Sequence, residues 1–208
     1  MVDEDKQRVG VLTALSAVQF FAWSAMFALW VQGLPLVGAI FSDVRVASQS
    51  GNAPSLLAVC FAIYLTLATA LAFMLPQSLR RLDAGLLLGL LLLVGAAGFL
   101  VLSIAHGVTS LILGFVGIAF AWTALSNLPY AMVGAVAPPG GGARLMRLFA
   151  LSTVVPQIVT MVAVVALERA DLRISPASIM FAAGLAMGLG AFIAIMCRKT
   201  LDVALVEW

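Results

Sequence analysis

Five polar or aromatic side chains in strongly apolar stretches are the best candidates for chemistry in this sequence: Gln19, Trp23, Asn127, Tyr130 and Gln157. Gln19 and Trp23 stand four residues apart, so on a helix they share one face. An indole ring can cover the apolar face of a sugar-like molecule while an amide binds its hydroxyl groups. The pair therefore indicates a substrate-binding site for a small polar solute. The alternative is hydrogen bonding between helices, worth roughly 0.6 kcal/mol on average in membranes.

Proline residues accompany these amides. Pro35, Pro129 and Pro156 each lie within three residues of a side-chain amide, in segments that are otherwise apolar. Proline removes one backbone hydrogen bond from a helix and kinks it, which leaves a carbonyl group one turn earlier without its donor. Such a carbonyl can face a solute-filled cavity. Each proline can equally mark a packing kink between neighbouring helices, and both interpretations stay open.

Catalytic and metal chemistry are not expected. His106 is the only histidine, and all nine acidic residues fall in predicted loops, tails or helix ends. A nucleophile–base pair, a metal cluster or paired carboxylates cannot be assembled from this set. We therefore predict no enzyme activity, no metal and no cofactor. The net charge of +2 gives no indication of a nucleic-acid partner.

Membrane helices are expected to hold these five residues. Of 208 residues, 63% are hydrophobic and 10% are charged, whereas soluble domains carry roughly 25% charged residues. An all-α membrane protein with six transmembrane helices is predicted, because six segments reach the length of about 20 apolar residues that spans a bilayer. The segments cover residues 9–41, 53–75, 84–105, 109–136, 143–167 and 175–196. Residues 1–8 and 198–208 form cytoplasmic tails around a membrane domain of residues 9–197.

The charge distribution predicts an orientation. With the N-terminus in the cytoplasm, eight lysines and arginines lie in cytoplasmic segments and three lie outside. The positive-inside rule then favours cytoplasmic N- and C-termini. Arg144 and Arg147, next to a Gly-rich hinge, are expected to meet anionic lipid head groups. Membrane lipid is accordingly one predicted partner.

A weak internal repeat connects the first and fourth helices. Phe21-Ala22-Trp23 recurs as Phe120-Ala121-Trp122. Other echoes between the two helices have different spacings, so chance among apolar residues is the alternative. A real repeat would indicate a 3+3 inverted arrangement of the six helices, as in many transporters.

Several ordered motifs resemble a known family. Residues 18–30, VQFFAWSAMFALW, resemble the start of the second half of sugar transporters in the major facilitator superfamily, in the sucrose-type and glycoside–pentoside–hexuronide cation symporter branch. Residues 122–132 and 155–158 resemble helices ten and eleven of that branch, and residues 79–83 resemble its basic loop between helices eight and nine. The resemblance implies a six-helix half of a twelve-helix fold, in a bacterial inner membrane.

Two functions follow from this resemblance. The first is a half-size symport component that moves a small polar solute, such as a saccharide, together with a second six-helix half. That second half would be another copy of the chain or a separate subunit. The alternative is a non-transporting structural or assembly subunit of a larger membrane complex. It is favoured by Arg147 and Ala150, which replace the glycine and asparagine usual in the family, and by the lack of a counterpart for the family's coupling acids.

Overall fold

The computed structural model describes residues 2–43, 53–138, 140–169 and 174–202. Within these ranges every regular element is a helix, and no strand occurs. The helices are α1 (Val2–Asp43), α2 (Ala53–Leu79), α3 (Ala84–Ser103), α4 (Val108–Ala135), α5 (Gly142–Arg169), α6 (Pro176–Met196) and the short α7 (Arg198–Leu201).

The first six helices are long and apolar enough to cross a membrane, which confirms the predicted number of spans and makes this an integral membrane protein. Two boundaries differ from the sequence prediction by more than two residues. Helix α1 already begins at Val2, so the segment assigned to the N-terminal tail continues the helix. Helix α2 runs four residues beyond Leu75 and thereby includes Pro76, a fourth proline in a helix interior. Most of the predicted outer loop of residues 42–52, from residue 44 onward, and the part of the predicted C-terminal tail after residue 202 lie outside the described residues.

The spans pack as a row. Ordered by their most extensive contacts, the neighbours are α2, α4, α3, α6, α1 and α5. Helices α1 and α4 also touch each other across the row, and there are further small contacts between α1 and α2 and between α4 and α5. If α1 is exchanged with α4, α2 with α5, and α3 with α6, the contacting pairs just described are again contacting pairs. The two helices at the ends of the row, α2 and α5, bury the smallest share of their spans.

Small residues allow the central helices to approach closely. A Cβ atom added to Gly98 of α3 would lie 2.6 Å from the carbonyl oxygen of Gly114 and 2.9 Å from the amide nitrogen of Ile118, both on α4. Because those neighbours are backbone atoms, they cannot move aside as a side chain would. The α3–α4 contact therefore depends on the missing side chain, as is typical of small-residue contacts in membranes.

One end of the bundle gathers several helix termini. Arg8, near the start of α1, donates from Nε to the carbonyl oxygen of Val136 at the end of α4, at 3.0 Å. At the same end, Gly85 at the start of α3 lies against the backbone of Arg198 in α7. The chain then turns into α5 at Gly140, whose φ of 76° favours glycine. This is the basic end of the bundle, because Arg80 and Arg81 in the α2–α3 connection and Arg144 and Arg147 in the first turns of α5 also lie here.

Candidate functional site

Three tryptophans meet where α1 and α4 touch. The ring centroids of Trp23 and Trp122 lie 5.6 Å apart, those of Trp23 and Trp30 5.9 Å, and those of Trp30 and Trp122 5.8 Å. All three contacts are edge-to-face, the arrangement that aromatic quadrupoles favour. Trp23 lies near the middle of the α1 span, and Trp122 lies near the middle of the α4 span. The aromatic cluster is therefore at the centre of the bundle.

Helix α2 adds a tyrosine to this cluster. The ring of Tyr64 is centred 5.9 Å from that of Trp122 and 6.5 Å from that of Phe115. Tyr64 is 1% exposed, so its hydroxyl group is enclosed together with its ring. Trp122 consequently touches an aromatic side chain from α1 on one side and one from α2 on the other.

Four buried polar atoms in and beside the aromatic cluster have no hydrogen-bonding partner among the described residues: Gln19 Nε2, Gln19 Oε1, Trp23 Nε1 and the Tyr64 hydroxyl oxygen. Gln19 is 0% exposed and Trp23 is 7% exposed. A buried polar group without a partner costs about 1–3 kcal/mol. Since water is absent from the hydrocarbon region, this cost is not relieved by the membrane.

A second polar group lies further along α4. Thr123, Asn127 and Tyr130 share one face of that helix, because they follow one another at intervals of four and three residues. The Thr123 hydroxyl lies 3.0 Å from the carbonyl oxygen of Ala68 in α2. The Tyr130 hydroxyl lies 3.3 Å from Thr153 Oγ1 in α5. Asn127 lies between these two contacts, and it is exposed. Its Nδ2 donates to the carbonyl oxygen of Thr123 at 2.8 Å.

Gln157 belongs to the α5 side of this group. It follows Thr153 by four residues and so lies on the same face of α5 as the partner of Tyr130. The side chain is half-buried, and it has no hydrogen bond within the described ranges. Buried prolines stand beside both amides, Pro129 in α4 and Pro156 in α5. Each removes a backbone N–H, which leaves a helix carbonyl able to accept a hydrogen bond from a solute.

The five predicted site residues thus fall into two groups. Gln19 and Trp23 are buried beside Trp122, whereas Tyr130 and Gln157 lie on the faces of α4 and α5 that meet, and Asn127 is exposed on the same face of α4 as Tyr130. The sequence prediction did not select Trp122 or Tyr64. Trp122 was nevertheless marked by the Phe-Ala-Trp repeat, while Tyr64 carries no sequence signal beyond being an aromatic residue in a span.

Among the described residues, no group of three or more histidine, cysteine or acidic side chains could hold a metal ion. Comparisons with protein-family models, curated proteins and solved structures found no match to this chain. The geometry of the two polar groups is therefore the basis for a functional proposal.

Proposed function

We propose that this chain is one six-helix half of a carrier of the major facilitator type, and that it moves a small polar solute, such as a saccharide, together with a second half. The exposed amide of Asn127, at bilayer depth in an apolar helix, is the observation that carries this proposal. An amide facing lipid at this depth is costly unless protein or water surrounds it. Asn127 therefore requires either a second chain or a water-filled space beside it.

The position of Asn127 indicates where that second chain would lie. On the same face of α4, Thr123 contacts α2 and Tyr130 contacts α5. Asn127 is exposed between them, so it opens toward the gap between α2 and α5, the two ends of the helix row. A second half placed across α2 and α5 would enclose this gap. Polar groups of both halves would then line a path for the solute.

The packing pattern supports a 3+3 repeat within the chain. The alanines of the two Phe-Ala-Trp triplets take equivalent places: Ala22 packs on Gly190 of α6, and Ala121 packs on Gly95 of α3. The tryptophans that follow them contact each other. Inverted repeats of this kind place the substrate site near the bilayer midplane, where discontinuous or bent helices meet.

In the proposed mechanism, each polar residue has a defined role. Asn127 and Gln157 bind solute hydroxyl groups, and Tyr130 holds α4 against α5 through Thr153 while presenting its ring to the solute. Rocking of the two halves about this site gives alternating access. The basic end of the bundle faces the cytoplasm under the positive-inside rule, so both termini are cytoplasmic, and the membrane is a bacterial inner membrane.

Uptake measurements test this function. The chain is purified from its native membrane with the partners that remain bound in mild detergent, and it is reconstituted into proteoliposomes. Uptake of radiolabelled sucrose and glucose is then compared between the wild type, Asn127→Ala and Gln157→Ala. Leu113→Ala is the control, because Leu113 is an exposed apolar residue of the same helix. We expect uptake by the wild type and the control, and a loss of at least tenfold in the two amide variants. Equal uptake in all four would refute the site.

A second function is supported by the outer surface of α5. Arg147 and Ala150 are exposed there, and Arg147 donates from Nε to the carbonyl oxygen of Ala143 on its own helix. These side chains are free to meet another protein, as a structural or assembly subunit would require. A stable complex with other membrane proteins, combined with no uptake of either sugar, would favour this subunit role.

A further inference from the structure

We propose that the second half is a second copy of this chain, and that the two copies pack with α2 of each against α5 of the other. The pairing rests on the proposed function, because it names the partner that the carrier needs. It goes further in choosing between a copy and a separate subunit and in assigning the faces that meet. The solute site at Asn127 is then formed by residues of both copies.

Helix α2 exposes a row of small side chains, which we call the α2 groove. Four exposed residues at intervals of four form it: Ala58, Ala62, Thr66 and Ala70. Each stands two residues from Cys60, Tyr64 or Ala68, the buried residues of α2 that face the bundle, and so lies about 200° away around the helix. Small residues at this spacing allow a second membrane helix to approach closely. The groove faces away from α4 and is unoccupied within one copy.

Helix α5 exposes the opposite kind of surface, which we call the α5 ridge. Five large apolar side chains form it: Leu148, Leu151, Val155, Ile158 and Val162. Their spacing of three or four residues places them on one face of the helix. The buried residues Phe149 and Pro156 lie on the other side of α5. One chain therefore carries both a groove and a ridge.

The groove and the ridge match in depth, length and direction. Thr66 is at the middle of the α2 span, and Val155 is at the middle of the α5 span. At a rise of 1.5 Å per residue, the groove is about 18 Å long and the ridge about 21 Å. Because successive spans alternate in direction, α2 and α5 cross the membrane in opposite directions. A two-fold axis along the membrane normal then pairs both grooves with both ridges, as an interface between identical copies requires.

The surface of α6 shows how this chain meets lipid. Exposed side chains at intervals of three or four residues are large and apolar there: Phe181, Leu185, Leu189 and Phe192. The α5 ridge taken alone would suit lipid equally well. The α2 groove would not, because its small side chains leave a depression that a ridge of large side chains fills. The groove therefore indicates a helix as its neighbour.

The exposed amide of Asn127 is independent evidence for a second chain at this surface. Asn127 opens between α2 and α5, so a two-fold axis through that gap brings the Asn127 side chains of the two copies face to face. An amide both donates and accepts hydrogen bonds, so the two side chains can bind the hydroxyl groups of one solute from opposite sides. In a single copy, the same amide faces the surroundings and the site is incomplete.

Disulfide cross-linking between differently tagged copies tests the pairing. Cys60 and Cys197 are first replaced, and a copy with Thr66→Cys is then coexpressed with a copy carrying Val155→Cys and a second tag. In the control, Leu185→Cys takes the place of Val155→Cys, because Leu185 is exposed near the middle of α6. After oxidation of the membranes, we expect at least tenfold more of the product that contains both tags with Val155→Cys than with Leu185→Cys.

Filling the α2 groove should separate the copies. Thr66→Leu and Ala62→Leu each place a large side chain where the α5 ridge would lie, so both should raise the dissociation constant for self-association at least tenfold. The constant is measured by energy transfer between labelled copies in liposomes. Leu185→Phe is the control on α6 and should leave it unchanged. Thermal unfolding of the detergent-solubilised monomer should be the same for all three variants, because all three positions are exposed.

Several results would overturn the pairing: no self-association of the wild type, cross-linking equal to that of the Leu185→Cys control, or unchanged dissociation constants in both groove variants. Sugar uptake by this chain in complex with a different membrane protein, without self-association, would retain the carrier and remove the pairing. Self-association with the expected cross-link but without uptake would retain the pairing and remove the carrier.

Discussion

The indole of Trp23 meets the indole of Trp122 edge to face, with ring centroids 5.6 Å apart and an angle of 74° between the planes. Each tryptophan ends a Phe-Ala-Trp triplet, and the two helices that carry them otherwise contact each other little. The two copies of the triplet therefore lie next to each other in the structure, since they meet at the centre of the bundle. The polar atoms that lack partners lie around this contact.

Replacing Trp122 by phenylalanine should weaken the centre of the bundle. Aromatic pairs contribute about 0.5–1.5 kcal/mol beyond the area they bury, and Trp122 takes part in three such contacts, with Trp23, Trp30 and Tyr64. We expect a lower free energy of unfolding and loss of the coupled indole signal in near-ultraviolet circular dichroism. Phe73→Leu is the control, because Phe73 is 80% exposed. An unchanged dichroism signal in Trp122→Phe would contradict the tryptophan contacts.

The contact between α3 and α4 should not tolerate a side chain at Gly98. An added methyl group would meet backbone atoms of Gly114 and Ile118. Overpacking typically costs about 1–3 kcal/mol, so Gly98→Ala should unfold at a lower temperature than the wild type. Gly38→Ala is the matched helical control, because nothing lies within 4 Å of the added atom. Equal unfolding temperatures for the two variants would argue against the close approach of these helices.

The link between α4 and α5 should be measurable as a small coupling energy. The Tyr130 hydroxyl and Thr153 Oγ1 are 3.3 Å apart, and hydrogen bonds between membrane helices average about 0.6 kcal/mol. A double-mutant cycle with Tyr130→Phe and Thr153→Val should recover a coupling of that size. Tyr130→Phe with Ser152→Ala serves as the control cycle, since the Ser152 hydroxyl bonds the carbonyl oxygen of Phe149 instead. Coupling equal to that of the control would show that the contact contributes nothing.

The orientation can be tested by labelling single cysteines. Cys60 and Cys197 are first replaced, and then Arg81→Cys or His106→Cys is introduced at exposed sites in opposite connections. In intact cells, a membrane-impermeant thiol reagent should label the His106→Cys protein, whereas Arg81→Cys should react only after the cells are opened. The reverse pattern would place the basic end of the bundle outside.

Much of the fold was predictable because hydrocarbon imposes a simple requirement on sequence. Long apolar segments must be helices that satisfy their own backbone groups, so the number of spans and most boundaries followed directly. The predicted second span ended at residue 75, whereas α2 continues to Leu79 through Pro76, because a proline in the last turn of a helix removes only one hydrogen bond.

The candidate site was less predictable, because it depends on which helices become neighbours. Sequence spacing brought Gln19 and Trp23 together on one helix face. It gave no reason to bring Tyr64 of α2 to Trp122 of α4, since that contact follows from the parallel packing of the two helices. Nor could spacing separate the buried amide of Gln19 from the exposed amide of Asn127. The order of the helices in the row determines that Gln19 is buried and Asn127 is exposed.

In the proposed carrier Asn127 lines a water-filled gap between two halves, and the accessibility of this position to a water-soluble reagent decides whether it does. Asn127→Cys is introduced after Cys60 and Cys197 have been replaced, and native membranes are treated with a charged, water-soluble thiol reagent. Leu113→Cys is the control, because Leu113 is exposed on the same helix but carries an apolar side chain. We expect rapid modification of Asn127→Cys and none of Leu113→Cys. Equal resistance of both cysteines would place Asn127 in lipid or in a dry interface and would contradict the proposed carrier.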